Sequence, residues 1–248
     1  MIDIHAHILP EIDDGAQNMA DALEMAAMAV ESGVKIVAAT PHSIDVRHAN
    51  DWGAELKGVL ADFRTALKKA GIPLTVVPGM EIFGTPEVPG LLKRGKLIGL
   101  NGSRYPLIEF AFAGYAAQAT DILERICAMG LRPVVAHPER YFYIQQDPAL
   151  LNLWVEMGCL LQVNKGSLLG YFGRNEQALA MGLVERGFAF AVASDAHSPL
   201  ARTTWMGDVK KLLREEFSPL AARMLLEENP GKLLKNEEIQ WFEPHWFR

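Results

Sequence analysis

Cysteine is scarce in this chain, with two in 248 residues, and the scarcity excludes a disulfide-built extracellular scaffold. Cys127 and Cys159 stand among apolar residues and read as buried free thiols. Neither opens a Cys-x5-Arg motif, because Pro133 and Lys165 occupy the place of the arginine. The thiolate route to phosphate-ester hydrolysis is thereby removed. An excess of positive charge is missing as well. With a formal net charge of -6, neither nucleic acid nor a membrane surface is expected as the main partner. No stretch is apolar for long enough to span a bilayer, and the opening MIDIHAHILPEIDDG has no basic or apolar region of a secretory signal. A cytoplasmic location is expected. No repeat, low-complexity run or linker-like break in composition interrupts the chain.

What the chain does contain is strand and helix in regular alternation. Apolar, β-branched runs at 2–8, 34–40, 74–82, 106–110, 132–137, 160–164 and 188–195 predict seven short strands. Helical spacing fills 21–32, 54–69, 117–129, 148–157 and 176–186, closed by Gly33, Gly71, Gly130, Gly158 and Gly187 as C′ residues. Two more helical segments, 202–217 and 219–229, follow the last strand. Such alternation predicts parallel strands joined by crossover helices and buried on both faces. A closed or nearly closed α/β barrel is the expected single domain, with an open doubly wound sheet as the alternative. An open sheet would gather its site in one crevice, whereas the polar residues here end nearly every strand.

Those polar residues carry the chemistry. His5 and His7 belong to the first strand, His42 to the second, Glu81 to the third, Glu109 to the fourth, His137 to the fifth, and Asp195 and His197 to the seventh. In a parallel barrel these ends share the face on which barrel enzymes place their chemistry. His5 with His7, and Asp195 with His197, are period-two pairs whose side chains point to one side of a strand. A single histidine in an apolar strand is more often a hydrogen-bonded core residue than a ligand. Five at successive strand ends are better explained by metal, and Glu81 and Glu109 would be costly to bury without a cation. The remaining histidines, His48 and His245, fall in a predicted loop and tail and read as surface residues. A nitrogen and oxygen donor set without thiolate suits manganese, iron, cobalt or zinc, and its richness in carboxylates favours manganese. The donors exceed what one ion needs, so two or three ions are expected. Together they would activate water at neutral pH and offset charge on a phosphate or carbonyl oxygen.

The segments IDIHAHILPEIDDGA, ATPHS, GMEI, SRYPLIEF, PVVAHPERY, QVN and ASDAHS, in this order, resemble the polymerase and histidinol phosphatase (PHP) superfamily. Within it they resemble the bacterial manganese-dependent protein-tyrosine phosphatases associated with capsule and exopolysaccharide synthesis. The resemblance runs from residue 1 to about 234, ending in ENPGKLL. It implies a distorted (β/α)7 barrel with a centre of three metal ions. One ion would be held by His5, His7, Glu81 and Asp195, a second by the bridging Glu81 with Glu109 and His137, and a third by Asp14, His42 and His197. Asp14 comes from the resemblance alone, since the residues by themselves place Asp13 and Asp14 in a turn. The resemblance also implies that Arg140 and Arg202 hold the substrate phosphate. Guanidinium forks match phosphate oxygens, although a lone loop arginine is more often a surface charge.

The implied enzyme acts on a phosphotyrosine-bearing protein, such as the tyrosine-rich tail of a bacterial kinase that controls polysaccharide export. A small-molecule phosphatase acting on a compound such as histidinol phosphate is the alternative, and a non-catalytic metal-bound regulatory module is a third reading. Residues 235–248 match nothing in the family pattern and form an aromatic tail with Trp241, Phe242, Trp246 and Phe247, expected to pack back on the barrel. The phosphate-loop lookalike from Gly90 to Lys96 has Leu97 in place of the Ser or Thr and follows no strand, so it is discounted. The Met- and Ala-rich segment 20–28 is expected in the core.

Overall fold

The computed structural model describes residues 1–43, 48–240 and 243–247; the tail aromatics Trp241 and Phe242 lie outside them. Its strands are β1 (Ile2–Ala6), β2 (Ile36–Ala39), β3 (Thr75–Pro78), β4 (Glu81–Phe83), β5 (Leu107–Glu109), β6 (Val134–Ala136), β7 (Leu160–Asn164) and β8 (Ala189–Ala193). Every pairing between them is parallel, in two sheets ordered β1-β2-β3 and β4-β5-β6-β7-β8. The run expected as one third strand is broken in two at Gly79 and Met80. Pro78 has no amide hydrogen for a ladder, and Gly79 lies so close to the second strand that a Cβ there would sit 3.0 Å from the Thr40 methyl. At this break the chain passes from one sheet to the other.

The two sheets meet along both edges. At one seam Asp195 N donates to His5 O at 2.8 Å and His7 N to Ala196 O at 2.8 Å. At the other, Glu81 N donates to Pro41 O at 3.0 Å and Ser43 N to Glu81 O at 2.9 Å. The result is a distorted α/β barrel, with β3 and β4 together standing for one bent strand. Both seams lie at strand ends that carry candidate ligands.

The five expected long helices are present as Met19–Glu31, Ala54–Ala70, Ala116–Cys127, Leu150–Glu156 and Arg174–Glu185. Asn18 caps the first by accepting from Asp21 N, and all five glycines expected beyond helix ends have positive φ. The strands are apolar on both sides. One cluster packs Val37, Val135, Val163 and Val192 against Met25, Phe63, Ile122, Trp154 and Leu183 of the helices. A smaller one joins Ile4, Ala38, Leu107, Val134, Leu160 and Ala191 with Leu233 and Leu234. Burial on both faces is why these strands read as nearly unbroken apolar runs.

Segment 20–28 packs as expected, with Ala22, Met25 and Ala26 fully buried. The phosphate-loop lookalike lies in the helix Val88–Lys93 and the turn after it, where Lys96 pairs with Asp51 at 2.9 Å. From the tail, Trp246 and Phe247 bring their rings to 5.9 and 4.9 Å from that of Phe188. Cys159 is buried as expected, but Cys127 is only half-buried; both are free, with sulfurs 3.9 Å apart. Among the described residues no helix is long and apolar enough to cross a membrane.

Tyr141 ties two strand ends together at the mouth of the barrel. Its fully buried hydroxyl donates to Ala136 O at 2.7 Å and accepts from Phe110 N at 3.0 Å. Tyr141→Phe leaves both backbone groups short of a partner, for an expected loss of about 1–3 kcal/mol. The expected result is a lower urea midpoint at unchanged slope; an unaltered midpoint would show that the hydroxyl is no strut.

Candidate metal centre

The C-terminal strand ends enclose a cavity of about 270 Å³ lined by Asp14, His42, Glu81, Glu109, His137, Asp195 and His197, with Arg140 and Arg202 at its edge. His5 and His7 lie fully buried against it. All nine candidate ligands and both arginines therefore meet in one place. Donor atoms of His5, His7, Glu81 and Asp195 lie within 4.8 Å of one another, and so do those of His7, Asp14, His42 and His197. Glu81 is central. Its Oε1 is 3.2 Å from His5 Nε2 and 3.0 Å from His137 Nε2, and its Oε2 is 3.1 Å from His7 Nε2 and 3.2 Å from His42 Nδ1. The grouping differs in detail from the one the resemblance implies. His7 belongs to two clusters, and His42 stands with Glu81 and Glu109 in a third, while His137 Nε2 is 3.8 Å from Glu109 Oε2.

Local backbone geometry aims these side chains. His137 has φ 34° and Asp195 φ 50°, left-handed conformations that cost a non-glycine residue about 1–2 kcal/mol. Ladder bonds hold both, from His137 N to Gln162 O and from Asp195 N to His5 O, each 2.8 Å. Gly15 lets the turn bearing Asp13 and Asp14 lie on the end of β1, since a Cβ there would stand 2.1 Å from His7 O.

A second layer, which the sequence reading missed, orients the ligands. Asp13 Oδ2 lies 2.6 Å from His7 Nδ1 and accepts from His42 N at 2.9 Å. Gln162 Oε1 is 2.8 Å from His5 Nδ1, and Asn164 Nδ2 donates to Asp195 Oδ2 at 2.6 Å. An amide oxygen only accepts, so His5 carries its proton on Nδ1 and keeps the Nε2 lone pair for the cavity. The available signal for Gln162 and Asn164 was their alternation with apolar residues in LLQVN, which puts both on the side of Leu160. Glu139 was also missed. It is fully buried, accepts from Asn164 N at 2.9 Å, and burial pushes its pKa up to about 7. His48, expected at the surface, is half-buried and stacks on His42 with ring centroids 5.0 Å apart. His245 is exposed, as expected.

The residues fit bound cations. His5 Nε2, His7 Nε2 and His42 Nδ1 are buried and make no hydrogen bond, although carboxylate oxygens stand within 3.2 Å of each. Burial works to raise the Glu81 carboxyl, but the charge of His5 and the close imidazoles of His137 and His7 hold it well below the usual range. Glu109 goes the other way. Burial, and then the charge of Glu81, push its carboxyl well above the usual range. A cation between the two relieves that conflict. Ligands about 2.0–2.2 Å from an ion stand about 3–4 Å from one another, which is the spacing around Glu81.

The family model for capsular polysaccharide synthesis proteins of the CpsB/CapC type matches residues 1–235. The chain belongs to the CpsB/CapC family. Among the relatives of this CpsB/CapC protein is the tyrosine-protein phosphatase YwqE of Bacillus subtilis, 39% identical over 239 residues, 96% of this chain and 93% of YwqE. The putative tyrosine-protein phosphatase CapC of Staphylococcus aureus is 36% identical over 247 residues, again 96% of this chain and 93% of the relative. A structure solved in a study of YwqE and of CpsB from Streptococcus pneumoniae, described as unique metal-dependent tyrosine phosphatases, matches at TM-score 0.93. It has 38% identity and covers 100% of both chains. The lactonase Lmo2620 of Listeria monocytogenes shares the fold at TM-score 0.59 and 12% identity, over 96% of this chain and 95% of its own.

Glu81→Ala removes the carboxylate common to two clusters. It is expected to lose bound metal and all turnover while keeping the circular dichroism of the barrel. Asp13→Ala should weaken metal affinity about 10- to 100-fold through the freed His7 ring, and His245→Ala should change nothing. Elemental analysis after dialysis checks all three, and full metal content in Glu81→Ala would refute the assignment.

Proposed function

We propose that this CpsB/CapC protein is a manganese-dependent phosphatase that hydrolyses phosphotyrosine on protein, acting on the tyrosine-rich tail of a bacterial kinase that controls capsule or exopolysaccharide synthesis. The observation that carries this reading is the convergence of a mixed histidine and carboxylate donor set with two guanidinium groups in one cavity at the barrel mouth. YwqE and CpsB, its relatives, bear the name tyrosine-protein phosphatase. The kinase tail and the phosphatase would meet in the cytoplasm, and residues 1–234 would form the catalytic unit, with 235–248 as a packing tail.

In this reading His5, His7, Glu81 and Asp195 hold one ion, Glu81, Glu109 and His137 a second, and Asp14, His42 and His197 a third. Divalent ions there supply Lewis acidity, offsetting phosphate charge and making water nucleophilic near neutral pH. The chain's own contribution is orientation. Asp13 and Gln162 fix the tautomers of His7 and His5. Arg140 and Arg202 follow β6 and β8, and both reach Asp195 Oδ2, at 3.4 and 2.5 Å. Each retains N–H groups to donate to phosphate oxygens. No cysteine is among the described residues lining the cavity, so hydrolysis proceeds without a phosphocysteine. Tyrosine leaves as a phenolate of pKa about 10, whereas a serine alkoxide must be protonated as it departs. The histidines here are committed to ligation, which favours aryl over alkyl phosphates.

Chelation should therefore stop activity and thiol alkylation should not, with manganese restoring the chelated enzyme best. A phosphotyrosine peptide should be turned over much faster than its phosphoserine counterpart or histidinol phosphate. A single turnover in heavy-oxygen water should place the label in released phosphate. A trapped phosphoenzyme, or a preference for histidinol phosphate, would overturn the reading in favour of a different phosphatase.

A further inference from the structure

Two aromatic rings flank the Arg140 guanidinium, and neither offers a metal ligand. Phe112 lies in the loop after β5, and Phe172 in the turn after the short helix Lys165–Leu168 that follows β7. Each ring centroid is 4.4 Å from Arg140 Cζ. Phe172 serves the second arginine too, with its centroid 5.9 Å from Arg202 Cζ.

Both rings are themselves held in place. Phe172 rests on bare backbone, since a Cβ on Gly166 would stand 2.6 Å from its Cε2. Only glycine at 166 leaves room for the ring. Phe112 is anchored by its carbonyl, which accepts from Phe142 N at 2.9 Å, and its ring meets those of His137 and Tyr141 at 5.9 and 6.2 Å. The arrangement answers a definite difficulty. Two cations on long, flexible stems converge on one oxygen of Asp195, where they repel one another and lose rotamer freedom. An aromatic face attracts a guanidinium, limits its swing, and leaves its N–H groups for an anion.

We propose that Phe112 and Phe172 are positioning residues that clamp Arg140, and through Phe172 also Arg202, in the orientation that receives the substrate phosphate. This rests on the reading of Arg140 as a phosphate-holding residue. Anion affinity then depends on two rings that supply no ligand atom and that no sequence motif marks.

Leucine at either position keeps apolar bulk and removes the π face, so Phe112→Leu and Phe172→Leu separate the clamp from simple packing. With manganese-loaded enzyme and inorganic phosphate as the probe, calorimetry should show affinity weakened about three- to ten-fold in each variant. KM for a phosphotyrosine peptide should rise in parallel, kcat should change less than about two-fold, and metal content should stay at the wild-type level. Phe172→Tyr, which keeps the ring, should bind phosphate as wild type does. In an Arg140→Ala background Phe112→Leu should add nothing further. Unchanged phosphate affinity in Arg140→Ala would overturn the phosphate reading of Arg140 and the clamp with it. A weakened Arg140→Ala beside Leu variants that bind phosphate normally would overturn the clamp alone. So would metal loss in the Leu variants, or an effect of Phe112→Leu that persists undiminished without Arg140.

Discussion

A single buried carboxylate, Glu81, joins the two halves of the barrel and the clusters of its metal centre. Four imidazole nitrogens surround its two oxygens at 3.0 to 3.2 Å, and the residue is 1% exposed. Its backbone meanwhile makes one of the two seams, pairing with Pro41 and Ser43 across the gap between sheets. The break at Gly79 and Met80 exists where the chain must leave the sheet of β1 to β3 and deliver Glu81 to this position. Fold closure and site assembly are therefore one event at this residue. An acid in such a place is tolerable because the histidines, and any cation they share with it, take up its charge.

The opposite seam works by the same logic. The backbone bonds that join β1 to the end of β8 run between His5 and Asp195 and between His7 and Ala196. Residues expected to bind one ion are thus tied to each other through the main chain before any ion is considered. Left-handed φ at His137 and Asp195 is affordable only because these ladder bonds over-determine the local geometry. Behind the donors, Asp13, Gln162 and Asn164 set ring tautomers and carboxylate orientation, so each lone pair meets the cavity.

A division of labour follows the sheet order. Donors come from strand ends of both sheets, whereas Phe112, Arg140, Phe172 and Arg202 lie after β5, β6, β7 and β8, all in the five-stranded sheet. The loops of that sheet thus contribute to one wall of the cavity, where guanidinium groups are backed by aromatic faces. Long-range order supports this wall: Tyr141 links the loop after β5 to the end of β6, and Gly166 seats Phe172.

Local periodicity was enough to read the strands, the five long helices and their glycine ends, because each depends on neighbours within a few residues. Composition at strand ends was enough to single out His5, His7, His42, Glu81, Glu109, His137, Asp195 and His197 as candidates that converge on one cavity, since buried histidines and carboxylates are too costly to be frequent by chance. Asp14 needed the family motif, because the residues alone read as a turn. Beyond this only the tertiary structure could decide. The split of the third strand depends on a seam between sheets, His48 stacks half-buried on the ring of His42, and Gln162 meets His5 across 157 residues of sequence. The rings on Arg140 come from loops after two other strands. Pairings of this kind are made by barrel closure, which brings residues together in an order that no local pattern along the chain encodes.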